Sequence, residues 1–274
     1  MSTKQEEIEK SIQKHKRYHK VLFSSFTKAI NRYELLSDGD RVAVCISGGK
    51  DSMIMAKLFQ ELKHHRKMNF DTEFIVMDPG YKEENRRLIE ENGKTMGIPL
   101  KFFDSTIFDT VFEIEKNPCY LCARMRRGYL YAKAKELGCN KIALGHHYDD
   151  VIETILMSMI YGGQIQTMMP KLKSQNFEGM ELIRPMYLVR EEDIIAFSAY
   201  HDLKFLRCAC RFTEKSLTDS GESKRLEVKE LIKALKDTNP FVESNIFKSV
   251  ENVHLDTVIS YKSRGEKHSF LEDY

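Results

Sequence analysis

Two rhythms of apolar and polar positions alternate along this chain. The first is a short, unbroken apolar run. Val42-Ala43-Val44-Cys45-Ile46 follows a Ser37-Asp38-Gly39-Asp40 turn, and its β-branched content suits a strand buried on both faces. Phe74–Met77 repeats it, and Leu100–Phe103 and Lys141–Leu144 read as the third and fourth strands. The second rhythm is helical spacing over residues 51–64, 83–96, 107–116, 122–137 and 149–160, with Gly97, Gly138 and Gly162-Gly163 as stops. Strand alternating with helix predicts an α/β fold: a parallel, doubly wound sheet with ligands at the carboxyl ends of its strands.

Outside this stretch the pattern changes. Residues 4–37 read as one helix, with Ile8, Ile12, Leu22, Phe26, Ile30 and Tyr33 on its stripe. Beyond residue 163 the rhythm weakens: a helix over 190–200, an edge strand at Lys204-Phe205-Leu206, and helices over 222–237 and 240–251 split by Asn239-Pro240. The last ten residues are polar and read as frayed. The expected division is an N-terminal helical arm (1–38), a catalytic domain (39–210) and a C-terminal helical extension (211–274).

Charge adds little, because 43 Lys+Arg against 41 Asp+Glu leave a net +2. A nucleic-acid partner would need uneven placement of that charge. Lys10, Lys14, Arg17 and Lys20 lie off the apolar stripe, where a solvated face is a plainer reading than RNA contact. No apolar run precedes Val21 and none reaches membrane-span length, so the expected location is cytoplasmic with no membrane partner. In that reducing setting the six cysteines point to metal or redox chemistry wherever they cluster, rather than to disulfides.

The loop Ser47-Gly48-Gly49-Lys50-Asp51-Ser52 joins the first strand to a helix start. Two glycines let backbone N–H groups face one point, and the helix N-terminus adds positive potential there. Ser47 and Ser52 supply hydroxyls, Lys50 neutralises phosphate, and Asp51 suits Mg²⁺. The spacing is not that of the GxxxxGK[ST] loop. Val44 through Ser52 resembles the signature of the PP-loop ATP pyrophosphatases, which cleave ATP to AMP and pyrophosphate and transfer AMP to a substrate oxygen. The resemblance implies a sheet of the adenine-nucleotide alpha-hydrolase type. Met77, Gly145 and Asp150 are counted with residues 47–52 as nucleotide-binding positions.

A second loop, Gly145-His146-His147-Tyr148-Asp149-Asp150, follows the fourth strand. Capping accounts for at least one of its carboxylates, while Asp150 joins Lys50 and Asp51 as a catalytic candidate. His146 and His147 lack ligand partners at close helical spacing. Cys119 and Cys122 form a CxxC before an Arg-rich helix, a setting that favours thiolate chemistry or metal ligation. Cys45 and Cys139 read as small core residues.

Pro118–Gly163 resembles the tRNA 2-thiocytidine synthetase branch of the PP-loop family, through Pro-Cys-x-x-Cys-Ala-Arg, Arg-Arg-Gly, Gly-His-His-x-Asp-Asp and Tyr-Gly-Gly. Met169-Pro170-Lys171-Leu172 and Ile183-Arg184-Pro185 fit as well. The resemblance implies a [4Fe–4S] cluster on Cys119, Cys122 and Cys208 with one iron open. The later pair departs from the usual CxxC, because here it is Cys208-Ala209-Cys210, and that leaves Cys210 as a rival third ligand. The implied reaction is ATP- and Mg²⁺-dependent sulfur transfer to a tRNA cytosine through an adenylated intermediate. The implied sulfur donor is a cysteine desulfurase or free sulfide, and a homodimer is one assembly the family allows. Arg124, Arg126, Arg127, Lys171 and Lys173 are the nearest basic candidates for tRNA contact. Three rival readings are a ligase adding an amine, a cluster-dependent desulfidase and a non-catalytic nucleotide-binding module.

Overall fold

The computed structural model describes residues 3–14, 16–105, 118–206 and 220–272, with backbone alone for 118–124 and 220–223. The helix expected over 107–116 lies outside the described residues.

The four expected strands form β1 (Arg41–Ile46), β2 (Asp71–Asp78), β3 (Leu100–Asp104) and β4 (Lys141–Ala143). Two short strands that the apolar pattern does not announce, β5 (Lys171–Lys173) and β6 (Glu181–Ile183), complete a six-stranded sheet of order β3-β2-β1-β4-β6-β5. Every pairing is parallel except β5 with β6. The row Phe74, Val44, Ala143 and Ile183 crosses four strands and belongs to the larger core. Ala43, Ile142 and Leu182, on the opposite face, belong to the smaller one. Both faces are therefore covered, which is why these strands carry no polar alternation.

The larger core receives α2 (Ser24–Arg32), α3 (Lys50–His64), α4 (Glu83–Met96) and α5 (Glu191–Tyr200). The smaller core lies under α6 (Pro118–Glu136), through Tyr131 and Ala134. The expected 4–37 helix is interrupted: α7 (Lys4–Ile12) ends at extended Gln13, and a π-helical turn at His19–Phe23 leads into α2. The polar stretch between Ile12 and Tyr18 gives a continuous helix nothing to bury. The arm folds onto the sheet unit instead. Ile8 and Ile12 are buried, and Lys57 Nζ, on a side chain only 2% exposed, donates to Glu9 Oε1 and Met96 O at 2.8 Å each. Ser11 Oγ and His201 Nε2 lie 2.8 Å apart.

The chain divides into two units, residues 1–150 with 169–218, and residues 151–168 with 219–274. The second contains α8 (Ser220–Thr238), α9 (Val242–Ser249) and an exposed hairpin of β7 (Ser260–Ser263) and β8 (Glu266–Ser269), where the sequence reads as frayed. Lys204–Leu206 is not a strand. Its last N–H is spent on the phosphate loop, Leu206 N to Gly48 O at 3.1 Å.

Candidate nucleotide site at the switch point of the sheet

Strand order reverses between β1 and β4, the position at which such sheets open a crevice at the carboxyl ends of their strands. Ser47–Ser52 leaves β1 there. Gly48 sits at φ +82°, and a Cβ on it would stand 2.7 Å from Ile89 Cγ1 and 2.9 Å from Leu206 Cδ1, so glycine alone fits. Ser47 N donates to Ser52 Oγ at 3.1 Å, and Ser52 Oγ donates to Gly49 O at 3.0 Å, which closes the loop on itself. α3 starts after Gly49 without a side-chain cap, so the N–H groups of its first turn lack intrahelical acceptors and point out of the helix end. Gly145 brings the second loop against this turn: a Cβ there would lie 3.1 Å from Ser52 N.

Charges ring the loop. Lys50 Nζ lies 3.1 Å from Asp51 Oδ1 and 3.0 Å from Glu191 Oε1. Burial works against its charge, but Asp51 and Glu191 outweigh burial and hold the ammonium above its ordinary pKa. His147, 3% exposed, is the residue before the helix α10 (Tyr148–Gly162), and it forms a capping box with Asp150. Asp150 Oδ2 accepts from His147 N at 3.0 Å while His147 Nδ1 accepts from Asp150 N at 3.4 Å. That bond assigns the proton to Nε2, which lies 3.5 Å from Asp150 Oδ2, 3.8 Å from Asp51 Oδ1 and 3.9 Å from Glu191 Oε1. Asp149 turns the other way. It pairs with Arg190 at 3.0 Å and accepts from Glu191 N at 2.7 Å, capping α5 and fixing Glu191 beside Lys50.

Beside the loop is a cavity of about 380 Å³, within the range of small-molecule sites. Its floor includes Cys45, Ile46, Ser47, Met77 and Leu144 from the strand ends, and its other wall includes Arg126, Arg127 and Leu130 of α6. Arg184, directly after β6, is 7% exposed, and burial pulls its pKa down to about 10, helped by the charge of Arg127. Met77 and Ser47 thus share one cavity, and Ser47 belongs to the cradle that Gly145 closes.

ATP fits this donor set: a glycine that admits no Cβ, an uncapped helix start and a cationic cavity wall. For Mg²⁺ the site offers hard oxygen donors in Asp51, Asp150 and Glu191, which face one imidazole nitrogen. Among the described residues no group of three or more forms a ready metal cage. A magnesium ion held by one or two carboxylates plus phosphate oxygens suits that arrangement. For the cluster, Cys119 and Cys122 stand three residues apart in α6, but their side chains, and Cys208 and Cys210 entirely, lie outside the described residues. Cys45 and Cys139 are buried, and burial pushes the thiol pKa of Cys139 up to about 11 and that of Cys45 higher still, as inert core residues.

The sequence reading did not include Glu191, the cap role of His147 or the burial of Arg184. Only Arg184 had a signal, as part of the Ile183-Arg184-Pro185 match.

The family model described as a PP-loop domain matches residues 18–210. The chain belongs to the PP-loop family. Within it, the chain is similar to the tRNA-cytidine(32) 2-sulfurtransferase of Alcanivorax borkumensis, 37% identical over 232 residues, covering 82% of this chain and 78% of the relative. The tRNA-cytidine(32) 2-sulfurtransferase 2 of Francisella tularensis is 40% identical over 238 residues, covering 85% and 92%. The U34-tRNA thiolase NcsA from Methanococcus maripaludis with its [4Fe-4S] cluster shares the fold, with a TM-score of 0.65 at 24% identity over 83% of this chain and 76% of that one. Among the described residues no helix is long and apolar enough to cross a membrane.

Proposed function

We propose that this protein is an ATP-dependent tRNA sulfurtransferase that converts a cytidine to 2-thiocytidine through an adenylated base. The observation that carries the reading is the junction at Gly48: an anion cradle whose carbonyl is bonded by Leu206, two residues before Cys208. The helix that lines the adjoining cavity begins Pro118-Cys119. The reading requires the cysteines to lie at the same edge of the sheet as the cradle, because one substrate passes from ATP to sulfur. The relatives, named for this reaction at position 32, supply the substrate class.

The first-turn N–H groups of α3, the hydroxyls of Ser47 and Ser52 and the ammonium of Lys50 hold the β- and γ-phosphates of ATP. Mg²⁺, bound by Asp51 with Asp150 or Glu191 close by, would neutralise phosphate charge. The cytosine O2 attacks the α-phosphorus, the bond to the bridging oxygen breaks, and pyrophosphate leaves with its electron pair. Asp149 keeps Glu191 on Lys50, so Lys50 faces the charge that develops on the leaving group. Sulfide then adds at C2 and AMP departs with the original oxygen. A [4Fe–4S] cluster on Cys119, Cys122 and Cys208 would supply that sulfide from an open iron site.

Mass spectrometry of tRNA nucleosides from cells with and without the gene tests the reading. 2-Thiocytidine is expected only where the gene is present, and its persistence without the gene overturns the proposal.

A further inference from the structure

From Lys10 to Tyr33 the sequence contains no Asp or Glu. Beyond Lys10 that stretch carries Lys14, Lys16, Arg17, Lys20, Lys28 and Arg32, and all of these are exposed. A solvated face is the plainer reading of such a run in sequence alone. Three features of the fold go beyond what solvation asks of it.

The first is arrangement. Residues 17–32 form one helical stretch, the π-helical turn running into α2, with Tyr18, Leu22, Phe26 and Ile30 buried. Lys16, Lys20, Lys28 and Arg32 recur at multiples of four residues on the outward side, so their charge forms a stripe on the order of 20 Å long. The second is a junction. The ring of His65 stacks on Phe23 at 4.9 Å, which brings the end of α3, Lys63-His64-His65-Arg66-Lys67, against this helix. These five residues are exposed as well. Nearby carboxylates are already engaged: Glu9 with Lys57 at 2.8 Å, Glu61 with His65 at 3.2 Å and Asp71 with Lys63 at 2.8 Å. Among the described residues Lys14, Lys16, Lys20, Lys28, Arg66 and Lys67 make no ion pair. Residues 14–32 and 63–67 hold nine Lys+Arg and no Asp or Glu, which leaves 34 Lys+Arg against 41 Asp+Glu in the rest of the chain. The near-neutral total thus conceals the uneven placement of charge that a polyanion needs.

The third feature is the lack of apolar anchors. Among the described residues of 13–34 and 63–67 no large apolar side chain is exposed. A membrane surface or a protein partner is held by apolar and aromatic side chains beside the charge. A nucleic-acid backbone is held by cations alone.

We propose that the outward face of residues 16–32, together with the end of α3, is the docking surface for the phosphate backbone of the tRNA. The assignment rests on the tRNA reading above and names the surface that receives that substrate. α3 starts at the phosphate loop and is 15 residues long, so its far end lies about 20 Å from the cradle. A folded RNA spans that distance and a free cytidine does not. Backbone contacts fix how a nucleic acid lies and carry no sequence information, so this surface supplies affinity while the cleft selects the base.

The test is fluorescence anisotropy of unmodified tRNA with the full-length, anaerobically purified protein over a range of KCl concentrations. The variant combines Lys16→Gln, Lys20→Gln and Lys28→Gln, all exposed positions where folding is little affected. Its tRNA affinity should fall about tenfold or more, and the slope of log affinity against log salt should become shallower by about 2–3. ATP affinity and kcat should stay at wild type while KM for tRNA rises with the Kd. Arginine at the same three positions should restore affinity and slope. Wild-type tRNA affinity and slope in the glutamine variant overturn the surface and leave the tRNA reading intact. So does an equal loss from Lys262→Gln, Arg264→Gln and Lys267→Gln on the exposed hairpin, which would show that total charge alone matters. Lysine-dependent binding to phosphatidylglycerol vesicles with tRNA affinity unchanged would assign the surface to a membrane instead. A wild-type protein that does not bind tRNA at low salt overturns both readings.

Discussion

One methyl group at Gly145 tests how the two loops are fitted together. A Cβ there would stand 3.1 Å from Ser52 N, 3.2 Å from Asp51 C and 3.3 Å from Ser52 Cα, against 3.4 Å for ordinary contact. All three are backbone atoms of the first turn of α3, which cannot swing aside as a side-chain tip can. Gly145 is not among the glycines at positive φ, so alanine meets no conformational barrier and only the contact is at issue. Relieving it moves the turn by about 0.3 Å. Overpacking costs roughly 1–3 kcal/mol, and the stiffer unfolded chain offsets about 0.4–1 kcal/mol of that. Gly145→Ala should therefore lose about 1–2 kcal/mol in urea denaturation. The displaced turn carries the phosphate-facing N–H groups, so ATP should bind roughly 3- to 10-fold more weakly by calorimetry, about 0.7–1.4 kcal/mol. Gly128, on α6, is the control. Nothing among the described residues lies within 4 Å of its added Cβ, and Gly128→Ala should gain about 0.5–1 kcal/mol with ATP binding unchanged. A Gly145→Ala protein that loses stability yet binds ATP like wild type would show that the first turn of α3 does not hold phosphate.

Further outcomes follow from the same geometry. Lys50→Met should lower pyrophosphate release about 100-fold or more, since no other cation lies between Asp51 and Glu191 among the contacts above; a rate within threefold of wild type refutes its role. Lys57→Met leaves Met96 O and Glu9 without their buried donor, should cost about 3–5 kcal/mol, and should expose the stretch around residues 13–18 to limited proteolysis. Burial opposes the charge of Glu9, but hydrogen bonds from Lys57 and Gln5 and the charge of Lys57 outweigh it and hold its pKa below the ordinary 4.5. Its stabilisation is thus present above pH 4.5 and lost as pH falls through the lower folded value, so Glu9→Gln should flatten that part of the acid-denaturation curve. Anaerobically purified protein should carry iron and labile sulfide, which Cys119→Ala, Cys122→Ala and Cys208→Ala lose and Cys210→Ala keeps; the reverse outcome for the last two assigns Cys210 as the third ligand.

The parts of this fold that were legible in the sequence are those in which one segment decides its own fate. β1, the second half of β2, and β4 are buried, so their apolar positions stand out, and the loop at 47–52 is set by its own glycines and the helix it opens. β5 and β6 are three residues each, too short for any period to register. β7 and the first half of β8 are exposed and no residue of either strand is buried, so no apolar face marks the hairpin. Phe205 and Leu206 looked like an edge strand because they pack on the larger core, but the N–H of Leu206 goes to a loop rather than a ladder. The site was half legible for the same reason. Glu191 meets Lys50 across 141 positions, and the burial of Arg184 depends on a helix and a loop that arrive from elsewhere in the chain.

The link between Leu206 and Gly48 has a mechanical meaning. A peptide group is a stiff plate, so the carbonyl of Gly48 and the N–H of Gly49 turn together. Rocking that plate to aim the N–H at an incoming anion swings the carbonyl the opposite way and tugs on Leu206. Leu206 is hitched to the plate's far edge, so an anion that turned the plate would be felt at Leu206 as a pull.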